Sequence, residues 1–296
     1  MSNSFSKIFH TSIKKLLYKN PIIGEQVSGL IQSKLLSAEP TMIARFGSTE
    51  IKAILYPFIP YLIRMLFKER ILNNMNTLSG FYPSNDATIR RFSRMMIEDM
   101  KLLDILGSWR IEERFLEKYY AKSMRVKLSN LEPYLQNMPW SIALQDKKVL
   151  VIHPFSETIE SQYQTNREKL FTNPDVLPAF QSLQTIKAVQ TIAGQKSEFK
   201  DWFSALDYMK AEIDKKDFDI AIIGCGAYGF PLAAHVKRIG KKAIHLGGPT
   251  QLLFGIKGKR WVENPNFNEI INEYFIFPNE SDKVKNANKV EGACYW

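Results

Sequence analysis

Asp217-Phe-Asp-Ile-Ala-Ile-Ile-Gly-Cys-Gly-Ala-Tyr-Gly229, continued by Phe230–Ile239 and Lys242-Ala-Ile-His-Leu-Gly-Gly248, reads as strand, glycine turn, helix and second strand. The run Asp219–Ile223 is short, apolar and β-branched, as a strand buried on both faces must be. Gly224, Gly226 and Gly229 form a literal GxGxxG between that strand and the helix. Glycines there permit a tight turn and close approach, while free backbone N–H groups and the helix dipole favour a phosphate. A glycine turn made for packing alone would read the same way. The second strand ends in His245-Leu-Gly247-Gly248, with no Asp or Glu to take a ribose hydroxyl, so a dinucleotide enzyme does not follow.

Working outward, Lys148–His153 is a second continuous β-branched run, closed by Pro154-Phe155. Thr185–Val189 reads as a short strand, and Phe199–Lys215 as an amphipathic helix with Trp202, Phe203, Leu206 and Met209 on one side. Towards the N-terminus, Pro40–Gly47 is a buried strand running into a glycine turn, with Ser48 as N-cap of the next helix. Pro57 and Pro60 break any single helix over Ile51–Ile71. Residues 86–122 read as two covering helices, the first with Ile89, Phe92, Met96 and Met100 on its inner face. The expected class is α/β: a mainly parallel, Rossmann-like sheet with helices on both faces and extra helices in the N-terminal half. Ligands then sit beyond the strand C-termini.

The 296 residues, 45% hydrophobic and 24% charged, exclude a disordered or fibrous chain and suit one α/β domain. Its expected parts are a basic N-terminal lobe, 1–146, with helical insertions, and a Rossmann-like lobe with a C-terminal tail, 147–296. Cys225 and Cys294 make neither a disulfide framework nor a CxxC pair, which points to a reducing compartment. Met1–Lys19 lacks the apolar core and cleavage site of a signal peptide. The longest apolar stretch, Ile54–Ile63, is about half a transmembrane helix and carries two prolines. A cytoplasmic, non-spanning protein is expected, with peripheral contact at the inner face of the membrane as an option.

Of the net charge of +10, nearly all falls in residues 1–148, which hold 22 Lys+Arg against 13 Asp+Glu. A polyanionic partner would meet that half. No RNP aromatic motif, zinc finger or helix-turn-helix accompanies the charge, so no nucleic acid is expected. A pyrophosphate ligand or an anionic membrane fits it. The basic segment Phe5–Tyr18 and the run Ile54–Ile63 can each be read as a membrane contact or as an ordinary packed segment.

Three groups could carry chemistry. His153 at a strand end, with Glu157 and Glu160 after it, suits a general base or metal ligand, or a satisfied core histidine. Arg45-Phe-Gly47-Ser48-Thr-Glu50 puts a cation, a turn and an acid at one strand-to-helix junction, either an ion pair or a place for a divalent ion bridging a diphosphate. The C-terminal run ending in Tyr295-Trp296 offers aromatic groups for sugar stacking or for core anchoring.

Ile43-Ala-Arg-Phe-Gly-Ser-Thr-Glu50 resembles the Arg-Tyr/Phe-Gly-Asp-Gly-Glu motif of GT-D-type glycosyltransferases, enzymes of bacterial surface-glycan assembly. The block Asp217–Gly229 with Lys242–Gly248 is similar to their second glycine turn and following strand, and the likeness spans Thr41 to Trp261. The resemblance implies transfer of a sugar from a nucleotide-diphosphate donor, hexosyltransferase-like, to a glycan or lipid-linked acceptor. Glu50 matches the final acid of the Asp-x-Glu element that is associated with donor and metal binding. Ser48 replaces the first acid, which weakens a Mn or Mg site. Under this reading Arg45, Gly47, Ser48, Gly224, Gly226, Tyr228, Gly229, His245, Gly247, Gly248, Lys257 and Arg260 surround the nucleotide and its phosphates. Glu50 holds the metal or the donor sugar, and His153 or Glu157 activates the acceptor hydroxyl. Two other classes stay open: an S-adenosylmethionine-dependent methyltransferase, and a non-catalytic nucleotide- or glycan-binding subunit.

Overall fold

The computed structural model describes residues 21–296, so the basic segment Phe5–Tyr18, with Lys14 and Lys15, lies outside the described residues. Seven strands form one wholly parallel sheet in the order β3-β2-β1-β7-β6-β4-β5. They are β1 (Thr41–Ala44), β2 (Ile105–Ser108), β3 (Met124–Lys127), β4 (Lys148–His153), β5 (Ser182–Lys187), β6 (Ile220–Ile223) and β7 (Lys242–His245). Both halves of the chain contribute to it, and β1 lies beside β7, with Ile43 opposite Ile244.

Because side chains alternate across a strand, each strand feeds two cores. Met42, Ala44, Leu106, Ile152, Ile223 and Ala243 pack on one face, under α2 (Ser48–Leu55), α3 (Tyr61–Ser79), α4 (Asp86–Met100), α6 (Trp202–Asp214) and α7 (Gly229–Arg238). Ile43, Ile105, Val151, Ile222 and Ile244 pack on the other, with α1 (Gln26–Leu36), α5 (Ser156–Leu170), α8 (Pro249–Leu253) and α9 (Lys259–Val262). The α/β class with helices on both faces is thus as the sequence predicts.

Several local readings need correction. Within 86–122 the second covering helix is not formed: Ile105–Ser108 is a strand and Ile111–Tyr119 is 3-10 helix, with a further strand, Met124–Lys127, just beyond. The cap of α2 is Gly47, with Ser48 as its first helical residue and no side-chain capping bond. The apolar run Ile54–Ile63 divides. Ile54 and Tyr56 are buried, whereas Phe58, Tyr61, Leu62 and Ile63 are exposed. The prolines cause the division: Tyr56–Phe58 is a 3-10 turn, and α3 starts anew after Pro60 in a direction that takes its first two turns off the core.

Candidate active site

A cavity of about 440 Å³ lies at the C-terminal ends of β1, β4, β6 and β7. The residue ending or just following each strand lines it: Arg45 after β1, His153 on β4, Gly224 after β6 and His245 on β7. Glu50, Glu132, Trp109, Arg260 and Tyr295 complete its polar and aromatic wall.

Glu50 enters from the first turn of α2, folded back over Gly47. A Cβ built on Gly47 would fall 1.7 Å from Glu50 Oε2, so glycine is what lets the carboxylate lie there. Burial pushes the Glu50 carboxyl above its ordinary range, opposed by its own backbone N–H, by Arg45 and by the Ser79 hydroxyl. Arg45 is itself deeply set, and burial draws its pKa down while Tyr295, Glu50 and Glu132 work to hold its charge. Its guanidinium donates to Phe46 O at 3.2 Å and sits 4.9 Å over the Trp109 ring. Trp109 is fixed in turn, its Nε1 donating to the same carbonyl at 2.9 Å. The buried Glu113 carboxylate gathers Trp109 N at 3.0 Å, Arg110 N at 2.9 Å and the Ser108 hydroxyl, setting that loop.

The glycine turn divides its labour by residue. Gly224 closes the turn, since a Cβ there would lie 2.6 Å from Thr250 Oγ1 and 2.8 Å from Gly247 O. Gly226 has φ +56° and open space where a Cβ would stand, so its backbone faces the cavity in a conformation that favours glycine. Gly229 is a packing glycine: a Cβ would meet His245 Cε1 at 2.1 Å, because the imidazole lies on the start of α7. The N–H groups of Gly224, Tyr228 and Gly229 donate to the carbonyls of Ile152, Cys225 and Gly226, so those that the turn can offer an anion are on Cys225, Gly226 and Ala227. Tyr228 also lines the cavity, with its ring stacked on Trp202 at 4.7 Å.

Other residues fall elsewhere than the sequence suggests. His153 lines the cavity, but its Nδ1 accepts from Phe155 N at 3.0 Å, which leaves the neutral ring's proton on Nε2. Burial lowers its pKa to about 3, so it offers the cavity a neutral donor and not a base. Glu157 is exposed, outside the cavity, and pairs with Lys187 at 3.1 Å. Glu160 accepts from Thr185 Oγ1 at 2.6 Å, so the proposed histidine–carboxylate group does not assemble. Lys257 lies over Phe277 at 5.3 Å and does not line the cavity, whereas Arg260 does. His245 is held to about pKa 3 by burial and by Arg45.

Two contributors, Glu132 and Trp109, escape a motif search, and a third, Tyr295, comes from the aromatic tail noted in the sequence. Glu132, raised by burial, accepts from the Tyr134 hydroxyl at 2.7 Å and feels both Arg45 and Arg260. Trp109 follows a four-residue strand with no periodicity to announce it. Tyr295 closes the far side, packed beside Gly248 with its carbonyl accepting from Gln251 Nε2 at 3.1 Å. Trp296 next to it anchors instead, its Nε1 donating to Asp282 O at 3.0 Å. Arg260 stands 4.9 Å over the Tyr295 ring and pairs with Glu291 at 3.1 Å.

No protein-family model matches the chain, and no curated protein matches it. Among solved structures it is similar to a new glycosyltransferase (DUF1792) from Streptococcus sanguinis. Identity is 13%, over 89% of this chain and 96% of that one, with a TM-score of 0.47. It is also similar to a structure described as the highly conserved domain of unknown function 1792 with a distinct glycosyltransferase fold. There identity is 13%, over 86% of this chain and 96% of that one, with a TM-score of 0.40. Such likeness assigns neither substrate nor chemistry to this chain.

Proposed function

We propose that this chain is a glycosyltransferase that moves a sugar from a nucleotide-diphosphate donor to a glycan or lipid-linked acceptor in surface-polysaccharide biosynthesis. One observation carries the reading: Arg45, Glu50, the Gly224–Gly226 turn and Arg260, drawn from opposite ends of the sequence, line one cavity. The diphosphate lies against the turn, where backbone N–H groups meet it, with the two guanidinium groups on its other sides. The acceptor oxygen attacks the anomeric carbon, the bond from that carbon to the phosphate oxygen breaks, and the nucleoside diphosphate leaves with the bonding pair. Arg45 and Arg260 neutralise the charge that develops on it. The acceptor's proton passes to Glu50, whose raised affinity for a proton suits a general base. Aromatic faces at Trp109 and Tyr295 suit a sugar ring.

A Mn or Mg ion fits the donor set poorly. Among the described residues no group of three or more His, Cys, Asp or Glu could hold a metal. Glu50 offers a single carboxylate, already facing Arg45, with Ser48 where a second acid would stand. The arginine pair therefore takes the charge-neutralising role in this reading. A methyltransferase is disfavoured by the same pair, which would repel the sulfonium of S-adenosylmethionine.

The exposed start of α3 supports work at an anionic membrane. Tyr61, Leu62, Ile63, Met65, Leu66 and Phe67 all face outward, Leu62 and Leu66 at 79% and 80% exposure, with Arg64, Lys68 and Arg70 among them. Apolar side chains that insert and basic ones that meet headgroups make a peripheral contact, each basic residue contributing on the order of 1 kcal/mol. No helix among the described residues is long and apolar enough to span a membrane.

The transferase reading is tested by thermal shift with nucleotide sugars, nucleoside diphosphates and S-adenosylmethionine, since only ligands of the native state raise the melting temperature. Stabilisation by a nucleotide sugar and its diphosphate is expected. Stabilisation by S-adenosylmethionine alone would replace this reading.

A further inference from the structure

A second concavity opens beside the cavity, on the far side of α2. It encloses about 650 Å³ between α2, the Tyr56–Phe58 turn, α3 and the 3-10 segment Ile111–Tyr119. Its walls are apolar, with Leu55, Phe58, Ile59, Phe67, Ile71 and Phe115 prominent. Phe58, Phe67 and Phe115 are among the exposed large hydrophobic residues, so a ligand seated there would bury aromatic surface that water now meets. Among the described residues the groove's cations are Lys52, Arg70 and Lys118, and its one acid, Glu112, is already paired with Arg110 at 2.6 Å.

Two placements say what kind of molecule fits. Thr49 lines both the cavity and the groove, and Glu50 and Lys52, two residues apart in one turn of α2, point to roughly opposite faces and so serve the two sites. The other end of the groove reaches Phe67 and Arg70 on α3, next to the outward-facing residues Leu62, Ile63 and Leu66. A ligand spanning the groove thus runs from the reaction centre to the surface read above as membrane-facing. It is apolar along its length and anionic at its head.

We propose that this groove binds the hydrocarbon chain of a phosphate-bearing lipid acceptor, with Lys52 meeting the phosphate at the inner end, Arg70 standing at the membrane end, and the reacting hydroxyl directed past Thr49 to Glu50. The proposal rests on the glycosyltransferase reading for its reaction, but not for its binding. A volume of this size lies within the usual range for ligand pockets. The occupant is an anionic lipid and not an apolar peptide segment because the apolar walls carry three cations against a single acid that is already paired.

The test is calorimetric titration of hexyl, octyl, decyl and dodecyl phosphate, each below its micelle concentration, into the full chain. Saturable binding to one site is expected, tightening by roughly fourfold per added methylene until the groove is filled. A Phe67→Asp, Phe115→Asp double variant, changed only at exposed positions, is expected to weaken dodecyl phosphate by roughly tenfold or more. Its melting temperature and its affinity for a nucleoside diphosphate should stay at wild-type values. Absence of saturable dodecyl phosphate binding would overturn the proposal. So would equal binding by the double variant, or equal binding of dodecyltrimethylammonium. Nucleotide binding is read separately on the same samples, so failure of the donor site and failure of the groove give different results.

Discussion

At the scale of single residues, the cavity turns on Glu50 and on the backbone at Gly226. Glu50→Gln keeps the shape and removes the base, so turnover is expected to fall on the order of 10²- to 10⁴-fold, with nucleotide affinity little changed. Stability should move the other way. Burial raises the folded-state pKa above the ordinary 4.5, so the carboxyl supports the fold only when protonated. That support is complete below the unfolded pKa and is lost as pH rises through the folded one. At neutral pH the ionised group is a cost, and the uncharged glutamine is expected to melt no earlier than wild type. This advantage should disappear as pH drops below about 4. Melting curves of both proteins across pH check the sign; a glutamine variant that melts earlier at neutral pH would mean that the carboxylate is held by partners and not strained by burial. At position 226, φ is +56° and no neighbouring atom lies within 4 Å of the point where a Cβ would stand. Valine there carries about 1–2 kcal/mol of backbone strain without a clash. Gly226→Val should therefore fold, with a slightly lowered melting temperature, yet lose nucleotide binding because its side chain stands where the phosphate approaches. Undiminished nucleotide affinity in that variant would remove the turn from the site.

At the scale of elements, the junction of β7 with α7 is tested by Gly229. Alanine there meets the His245 ring at 2.1 Å, so Gly229→Ala is expected to lose about 1–3 kcal/mol in urea unfolding. Adding His245→Ala should return part of it, whereas strictly additive effects would show that the two residues do not share that space. The strands β4 and β6 are legible in the sequence because each is a β-branched run followed directly by a proline or glycine turn, and β7 because it lies one helix after the glycine turn and leads through Leu246 into Gly247-Gly248. The strands β2 and β3 are not. Ile105-Leu-Gly-Ser108 and Met124-Arg-Val-Lys127 have four residues each, too few to display a period, and they flank a 3-10 segment whose charges and apolar residues alternate like a surface helix. The site divides likewise. Arg45, Glu50 and Gly226 are legible because they punctuate strand ends. Glu132 and Trp109 reach the cavity through loops set by tertiary contacts such as Glu113, and no local pattern records them. Glu157 misleads for the opposite reason: it follows His153 closely in sequence, but α5 turns it outward to Lys187.

At the scale of the molecule, one parallel sheet carries the cavity at its C-terminal edge, and the helices that follow β1 carry the exposed apolar face. Vesicle flotation is expected to recover the protein with phosphatidylcholine–phosphatidylglycerol vesicles and not with phosphatidylcholine alone, the binding weakening with salt. Leu62→Asp with Leu66→Asp should abolish it without lowering the melting temperature, as both side chains are exposed. Equal recovery with neutral vesicles, or no loss in the double variant, would contradict a peripheral contact through α3. The central claim is that Arg45 and Arg260 hold a nucleotide diphosphate where a metal would otherwise neutralise it. Its most direct test is calorimetric titration of nucleoside diphosphates, in excess chelator, into wild type and Arg260→Ala, a change at a partly exposed side chain. The expected result is one-site binding of at least one nucleoside diphosphate to wild type, weakened roughly tenfold or more by loss of the charge-assisted contact. Binding that appears only on adding Mn or Mg, or that is indifferent to Arg260, would contradict it.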